Sequence, residues 1–165
     1  GSLASMYFKI KNIIDLKNKN KWNIVEQKIF ANEGNKRFKN QNLFFFDDIN
    51  KIKDKKIDLI ILSGTLQYVE QPKHVLKKIL NKKPEIILIE RTPVSINKKQ
   101  NDIFVQKRED SSYPSWHFSE NYIKNFFKKN HYDLIDKFPS EFDHNLFVEN
   151  QEIRFENYIF KNKNV

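Results

Sequence analysis

The chain has 165 residues, a net charge of +9 and no cysteine. Its length suits one domain with a substantial core and is short for two, so we expect residues 1–165 to form a single domain. The absence of cysteine excludes disulfides, thiolate metal sites and a cysteine nucleophile, which fits a reducing cytoplasm. No apolar run reaches the roughly 20 residues of a membrane span, so we expect a cytoplasmic protein.

The positive charge comes mainly from lysine. Only four of the 30 basic residues are arginine, and the lysines are scattered over predicted loops and outer helix faces. A phosphate-binding face would more typically show an arginine-rich stripe with interleaved aromatic residues. We therefore interpret the charge as a solvated surface and do not expect a nucleic-acid partner.

Short apolar runs alternate with segments of helical periodicity through the first 90 residues. The predicted strands are 22–26, 43–46, 57–62 and 85–90, and the predicted helices are 3–15, 27–38 and 70–80, with a helical turn at 49–55. Near-continuous apolar strands separated by helices are typical of a sheet that is covered on both faces. The predicted fold class is therefore α/β, with a mostly parallel, doubly wound sheet.

The character of the chain changes after Pro93. Residues 103–106 alternate in polarity, 113–116 form a predicted aromatic loop stiffened by proline, and 119–131 form a predicted helix with Ser119 as N-cap. Two further strands are predicted at 133–138 and 153–161.

The segment 57–80 is the most informative for function. An apolar run stops at Ser63-Gly64 and a helix-period pattern follows at once. In open α/β sheets, ligands bind at the carboxyl ends of the strands. The loop 63–68 is therefore a candidate active-site edge.

The sequence from Asp58 to Glu70, DLIILSGTLQYVE, resembles the fourth-strand motif of class I S-adenosylmethionine-dependent methyltransferases. Together with Arg91-Thr92-Pro93, Gln106 and the segment 113–118, it resembles more narrowly a methyltransferase family from surface-polysaccharide gene clusters. The resemblance implies a Rossmann-like sheet closed by an antiparallel pair, 133–138 and 153–161. It also implies S-adenosylmethionine as cofactor, S-adenosylhomocysteine as product and O-methylation of a sugar or polysaccharide precursor.

That fold begins with a central strand and a glycine-rich loop, whereas this sequence begins with Gly1-Ser2 directly before the first helix. We interpret Gly1 and Ser2 as the end of a truncated first motif that contacts the cofactor; an expression scar is the alternative. A missing first strand would expose two sheet edges. We expect weakened cofactor binding, and oligomerisation through these edges is one way of filling the gap.

Several residues are candidate cofactor ligands. Glu26 ends a strand, where a carboxylate can accept both hydroxyls of a ribose; a surface residue that caps the next helix is the alternative. Asp47 or Asp48 would contact the adenine amino group, although Asp48 could instead cap the turn that follows. The resemblance places Ser63, Gly64 and Leu66 at the methionine arm of the cofactor.

Candidate substrate and catalytic residues follow these strands. The substrate group comprises Gln67, Arg91, Gln106, Tyr113 and Trp116. Arg91 could pair with an acidic sugar or phosphate, or with Glu90 or Asp110. His117 has a side chain suited to a general base near neutral pH, and Tyr68 is the second catalytic candidate. No spacing of histidine and acidic residues indicates a metal site.

Two other classes of function remain as alternatives. One is a non-catalytic Rossmann-like module that binds a partner protein. The other is an RNA-binding or RNA-modifying protein that uses the positive charge, which would require binding that survives ordinary salt.

Overall fold

The computed structural model describes residues 3–12, 20–141, 143–148 and 151–165. Gly1 and Ser2, two predicted cofactor ligands, and residues 13–15 of the first predicted helix lie outside these ranges. The chain divides into two compact units, Gly1–Lys55 and Lys56–Val165. None of the described helices is long and apolar enough to cross a membrane.

The Gly1–Lys55 unit is built around a pair of parallel strands. Its elements are α1 (Ser5–Ile10), β1 (Trp22–Val25), α2 (Lys28–Arg37), β2 (Leu43–Phe46) and a 3₁₀ turn (Ile49–Lys51). β1 and β2 pair from Trp22 opposite Leu43 to Val25 opposite Phe46. The element types and their order confirm the prediction for this segment.

The core of this unit depends on a close approach of α2 to β2. Its buried residues are Ala4, Tyr7, Ile24, Ala31, Leu43 and Phe45. Gly34 in α2 lies directly against the Phe45 ring, and a methyl group at this position would overlap the ring. The Asn35 side chain donates to the Phe45 carbonyl oxygen at 2.8 Å and accepts from the Phe45 amide at 3.3 Å. Steric fit and paired hydrogen bonds therefore set the distance between helix and strand.

The Lys56–Val165 unit contains seven described strands in one sheet. Its elements are β3 (Leu59–Ser63), a 3₁₀ turn (Leu66–Tyr68), α3 (Pro72–Leu80), β4 (Ile86–Ser95), β5 (Asp102–Arg108), β6 (Ser111–Ser119), α4 (Glu120–Lys129), β7 (Tyr132–Pro139), β8 (Leu146–Val148) and β9 (Gln151–Asn162). The strand order is β5-β6-β4-β9-β7, with β3 on β4 and β8 on β9.

Most described strand pairs in this unit are antiparallel, so a mostly parallel sheet is not confirmed. β3 and β4 are parallel, as are the short ends of β4 and β6. β9 runs antiparallel to β4, β7 and β8, and β5 runs antiparallel to β6. The architecture is therefore a mixed α/β sheet with helices.

Aromatic residues form the core of this unit beneath α4. Phe127 in α4 stacks on Phe160 in β9, with ring centroids 4.0 Å apart. Tyr158, Phe118 and Phe127 are among its largest fully buried side chains. Tyr158 and Phe160 lie two residues apart on β9 and stack on each other, as expected for neighbours on one face of a strand.

Two local predictions were wrong. Arg91-Thr92-Pro93 does not end the fourth strand, because a bulge between Ile89 and Thr92 lets β4 continue to Ser95. The segment 113–116 is not a loop but part of β6, in a hairpin with β5. Pro114 fits there because, among the described strands, its stretch of β6 pairs only with β5, so no second ladder needs its missing N–H.

Candidate active site

The carboxyl end of β3 turns sharply at Gly64, which has a φ of 54°. The Gly64 amide donates to the Glu90 carbonyl oxygen at 3.0 Å. A β-carbon at Gly64 would meet no atom closer than Nη1 of Arg91, at 3.9 Å. The backbone conformation, and not lack of space, therefore favours glycine here. Ser63 and Gly64 are partly exposed, and the turn leads into the 3₁₀ segment that holds the buried Leu66.

Gln67 joins this turn to the neighbouring strand. Its side chain is 3% exposed, and its Nε2 donates to the Arg91 carbonyl oxygen at 3.0 Å. Within the described part of the chain, Gln67 Oε1 is buried without a hydrogen-bond partner. An unpaired buried acceptor usually has a reason, such as an absent ligand or water.

Three predicted residues are brought together beside the turn. The Tyr68 hydroxyl donates to Oε1 of Gln106 at 3.2 Å, and the Tyr68 ring packs edge-on against Tyr113 with centroids 5.5 Å apart. Gln106 and Tyr113 are direct cross-strand partners in the β5–β6 hairpin. The hairpin therefore places a neutral hydrogen-bonding cluster at the end of β3, and Tyr68 remains exposed.

Arg91 adopts a left-handed conformation at the bulge of β4, with a φ of 56°. Its amide donates to Oδ1 of Asn157 at 2.9 Å. Its guanidinium donates to both carboxylate oxygens of Asp143, at 2.9 and 3.0 Å. These hydrogen bonds hold the pKa of Asp143 below its usual range. Neither Glu90 nor Asp110 is the partner, and sequence reasoning missed Asp143, which lies 52 residues away.

His117 lies in β6, four residues beyond Tyr113, which is about 13 Å along a strand. Its side chain is 8% exposed and packs on the Phe104 ring, with centroids 4.6 Å apart. Burial lowers the pKa of His117, Lys98 lowers it further, and Asp102 opposes both. Its Nδ1 has no hydrogen-bond partner in the described ranges. The ring is therefore neutral at neutral pH, but it lies apart from the Tyr68 cluster.

Trp116 and Tyr113 lie on opposite faces of β6. They lie three residues apart in β6, so their side chains point to opposite faces of the strand. The Trp116 indole N–H donates to the Val69 carbonyl oxygen at 3.1 Å, directly after the 3₁₀ turn. Trp116 thus stays close to the candidate edge but faces a separate groove, which also contains Tyr122.

The candidate cofactor residues of the Gly1–Lys55 unit also follow strand ends. The Glu26 amide donates to the Phe46 carbonyl oxygen at 2.9 Å, and its carboxylate accepts from the Gln27 amide at 3.3 Å. Asp47 pairs with Lys51, whose hydrogen bond lowers the pKa of this carboxyl. Asp48 accepts from the Asn50 amide at 2.8 Å, which confirms the capping alternative for this residue.

No group of histidine and acidic residues in the described ranges could hold a metal ion. No protein-family model matches the sequence. A comparison with curated proteins also found no match.

Solved structures give a clear likeness in fold. A structure of LepI in complex with S-adenosylmethionine matches with a TM-score of 0.64 and 9% identity, over 98% of this chain and 41% of LepI. A methyltransferase from Clostridium acetobutylicum matches with a TM-score of 0.59 and 13% identity, over 98% of this chain and 80% of that one. One from Methanosarcina mazei matches with a TM-score of 0.58 and 10% identity, over 85% and 80%.

The chain has a methyltransferase-like α/β fold. It spans about two fifths of the length of LepI. At these identities the likeness concerns the fold alone. A function must therefore be argued from the side chains at the strand ends.

Proposed function

We propose that the protein is an S-adenosylmethionine-dependent methyltransferase that methylates a hydroxyl group of a sugar or polysaccharide precursor. The observation that carries the proposal is the turn at Gly64, followed by the hydrogen-bonded cluster of Tyr68, Gln106 and Tyr113. The fold likeness to proteins described as methyltransferases supports it. The narrower resemblance to a polysaccharide gene-cluster family is the reason for choosing a sugar acceptor.

Cofactor binding would use groups that follow the ends of strands. In the Lys56–Val165 unit, the partly exposed turn of Ser63 and Gly64 suits close approach of a ligand. Among the residues of the Gly1–Lys55 unit, Glu26 would accept the ribose hydroxyls. Asp47 would contact the adenine amino group, since Asp48 already caps the following turn. The cofactor, when bound, supplies a methyl group on a positively charged sulfur.

The acceptor side of the proposed site is neutral. Tyr68 and Gln106 offer a hydroxyl and an amide, which can orient an acceptor hydroxyl through hydrogen bonds. Positioning of this kind can account for much of the rate enhancement in a reaction between two substrates. Arg91 is half-exposed and already pairs with Asp143. A carboxylate or phosphate on the acceptor would therefore compete with Asp143 for the Arg91 guanidinium.

As the acceptor oxygen takes the methyl group, the hydroxyl proton would pass to water at the exposed turn. Tyr68 is the first candidate for holding that hydroxyl, because its side chain is exposed at the turn. His117 has the protonation state of a base at neutral pH, since burial lowers its pKa. Its buried ring lies farther along β6, so we place Tyr68 first.

The test is transfer of labelled methyl from S-adenosylmethionine to a panel of monosaccharides and oligosaccharides. We expect Tyr68→Phe to slow transfer by about tenfold to hundredfold, as for a lost hydrogen bond. His117→Asn should change transfer by less than about threefold, with the exposed His131→Asn as the histidine control. Thermal unfolding would show that each variant is folded. Transfer that is absent in the wild type, or unchanged in Tyr68→Phe and lost in His117→Asn, would contradict these assignments.

A further inference from the structure

A groove of ≈ 470 Å³ in the Lys56–Val165 unit is lined by residues of α3, by the segment before it and by Trp116 of β6. The residues that line it include Glu70, Lys73, Lys77, Asn101, Trp116 and Tyr122. The function proposed above assigns no role to these residues. The groove has the size of a small-ligand site, and its lining determines which ligand chemistry it would select.

One wall consists of aromatic rings that are already held in place. The Trp116 indole is fixed by its hydrogen bond to the Val69 carbonyl oxygen. Tyr122 stacks between Phe118 and Phe126, with ring centroids 6.3 Å apart on each side. Fixed rings lose little conformational entropy when a ligand binds. The ring carbons that line the groove suit contact with the apolar C–H side of a pyranose ring.

Two lysines contribute positive charge to the same groove. Lys73 and Lys77 are exposed, four residues apart on α3, and neither pairs with a carboxylate in the described part of the chain. Like charges at this spacing repel each other by a few tenths of a kcal/mol. By contrast, Lys124 and Lys137 both pair with Glu120 at 2.8 Å. An anionic group between Lys73 and Lys77 would relieve their repulsion.

Hydrogen-bonding groups complete the lining. Asn101 accepts from the Ser119 amide through Oδ1 at 2.9 Å, which leaves its Nδ2 as a donor to the groove. The Glu70 carboxylate is exposed there and can accept from two hydroxyls. The Glu70 carboxylate can accept hydrogen bonds from hydroxyls, and the two lysines can bind a negative charge. The lining therefore suits a ligand that carries both kinds of group.

We propose that this groove binds a pyranose that carries a carboxylate or phosphate group. The apolar side of the sugar ring packs on Trp116 and Tyr122, Glu70 and Asn101 bind its hydroxyls, and Lys73 and Lys77 bind the anion. A nucleotide also carries hydroxyls and a phosphate, but its flat base would need an open aromatic face, and Tyr122 already stacks between Phe118 and Phe126. The proposal concerns binding alone, so it does not depend on methyl transfer.

The test is isothermal titration of the full chain, without cofactor, with glucuronate, glucose 6-phosphate, glucose and adenosine 5′-monophosphate. The double variant Lys73→Gln, Lys77→Gln removes both charges and keeps good helix formers. Lys78→Gln is the matched control, because Lys78 lies on the same helix and does not line the groove.

We expect both anionic sugars to bind at least tenfold more tightly than glucose or the nucleotide. The double variant should weaken that binding roughly tenfold, as expected for lost charge-assisted contacts, and Lys78→Gln should leave it unchanged. Equal binding of glucose, tighter binding of the nucleotide or no binding of the anionic sugars would overturn the proposal. Equal losses of affinity in the double variant and in Lys78→Gln would also overturn it, because the effect would then come from the overall charge and not from the groove.

Discussion

At the scale of single residues, the candidate edge is held by contacts between distant parts of the chain. Gln67 donates to the backbone of Arg91, and Arg91 pairs with Asp143. The capping of the turn by Asp48 could be predicted, because it depends only on neighbouring residues. The partner of Arg91 could not, since no local pattern relates residues 52 positions apart. The roles assigned to the site residues in binding and catalysis remain predictions.

His117 leads to a prediction about pH. Burial and Lys98 lower the pKa of the folded His117 below the ordinary value of about 6.5, and Asp102 offsets part of the shift. Between the folded and the unfolded pKa of His117, the unfolded chain therefore binds more protons than the folded chain. The free energy of unfolding should fall as pH drops below about 6.5, until the folded pKa is reached.

Urea unfolding of the wild type, His117→Asn and His74→Asn at several pH values between about 5 and 7.5 measures this effect. We expect a smaller loss of stability on acidification in His117→Asn than in the other two proteins. His74 is exposed on α3 and provides the matched control. If the free energy of unfolding depended on pH identically in all three proteins, His117 would not titrate at a shifted pKa.

At the scale of elements, the regions that could be predicted are those with a clear local period. β1 to β4 and their helices follow from apolar runs and helical spacing, and the structure confirms them within a few residues, apart from the extension of β4. The β5–β6 hairpin was missed in part, because Pro114 and several serines favour a loop. Pairing with β5 overrides that preference, and cross-strand pairing is a tertiary effect.

The packing of α2 on β2 makes Gly34 a sensitive position. Gly34→Ala would place a methyl group against the buried Phe45 ring, so we expect the free energy of unfolding to fall by about 1–3 kcal/mol despite the better helix propensity of alanine. Urea unfolding measures the change.

Gly64→Ala is the matched control for Gly34→Ala. No atom lies within 3.9 Å of the added β-carbon, so any cost comes from the positive φ alone, roughly 1 kcal/mol. Phe45→Leu should reduce the cost of Gly34→Ala, since the ring would no longer be in the way. A Gly34→Ala variant as stable as the wild type would show that α2 does not need this close approach.

At the scale of the whole molecule, the net charge of +9 raises the alternative of RNA binding. Scattered lysines give only non-specific contacts, whose affinity falls steeply with salt. We expect a single-stranded RNA to bind detectably at low salt and more weakly than a Kd of about 10⁻⁴ M at physiological salt. Fluorescence anisotropy at several salt concentrations tests this. Binding that is tight and nearly independent of salt would favour an RNA-directed function.

The fold likeness constrains function less than the strand-end residues do. Such distant likeness leaves the substrate open. The central claim is therefore that these strand ends bind S-adenosylmethionine, and cofactor binding tests it without knowledge of the acceptor.

The most direct measurement is isothermal titration with S-adenosylhomocysteine of the wild type, Glu26→Ala and Glu33→Ala. Glu33 pairs with Arg37 on the surface of α2 and provides a control for loss of one carboxylate. We predict that the wild type binds weakly and that Glu33→Ala binds with the same affinity. Glu26→Ala should lose about 1.5–3 kcal/mol, roughly tenfold to hundredfold in Kd. A wild type that does not bind, or equal affinity in Glu26→Ala, would contradict the account.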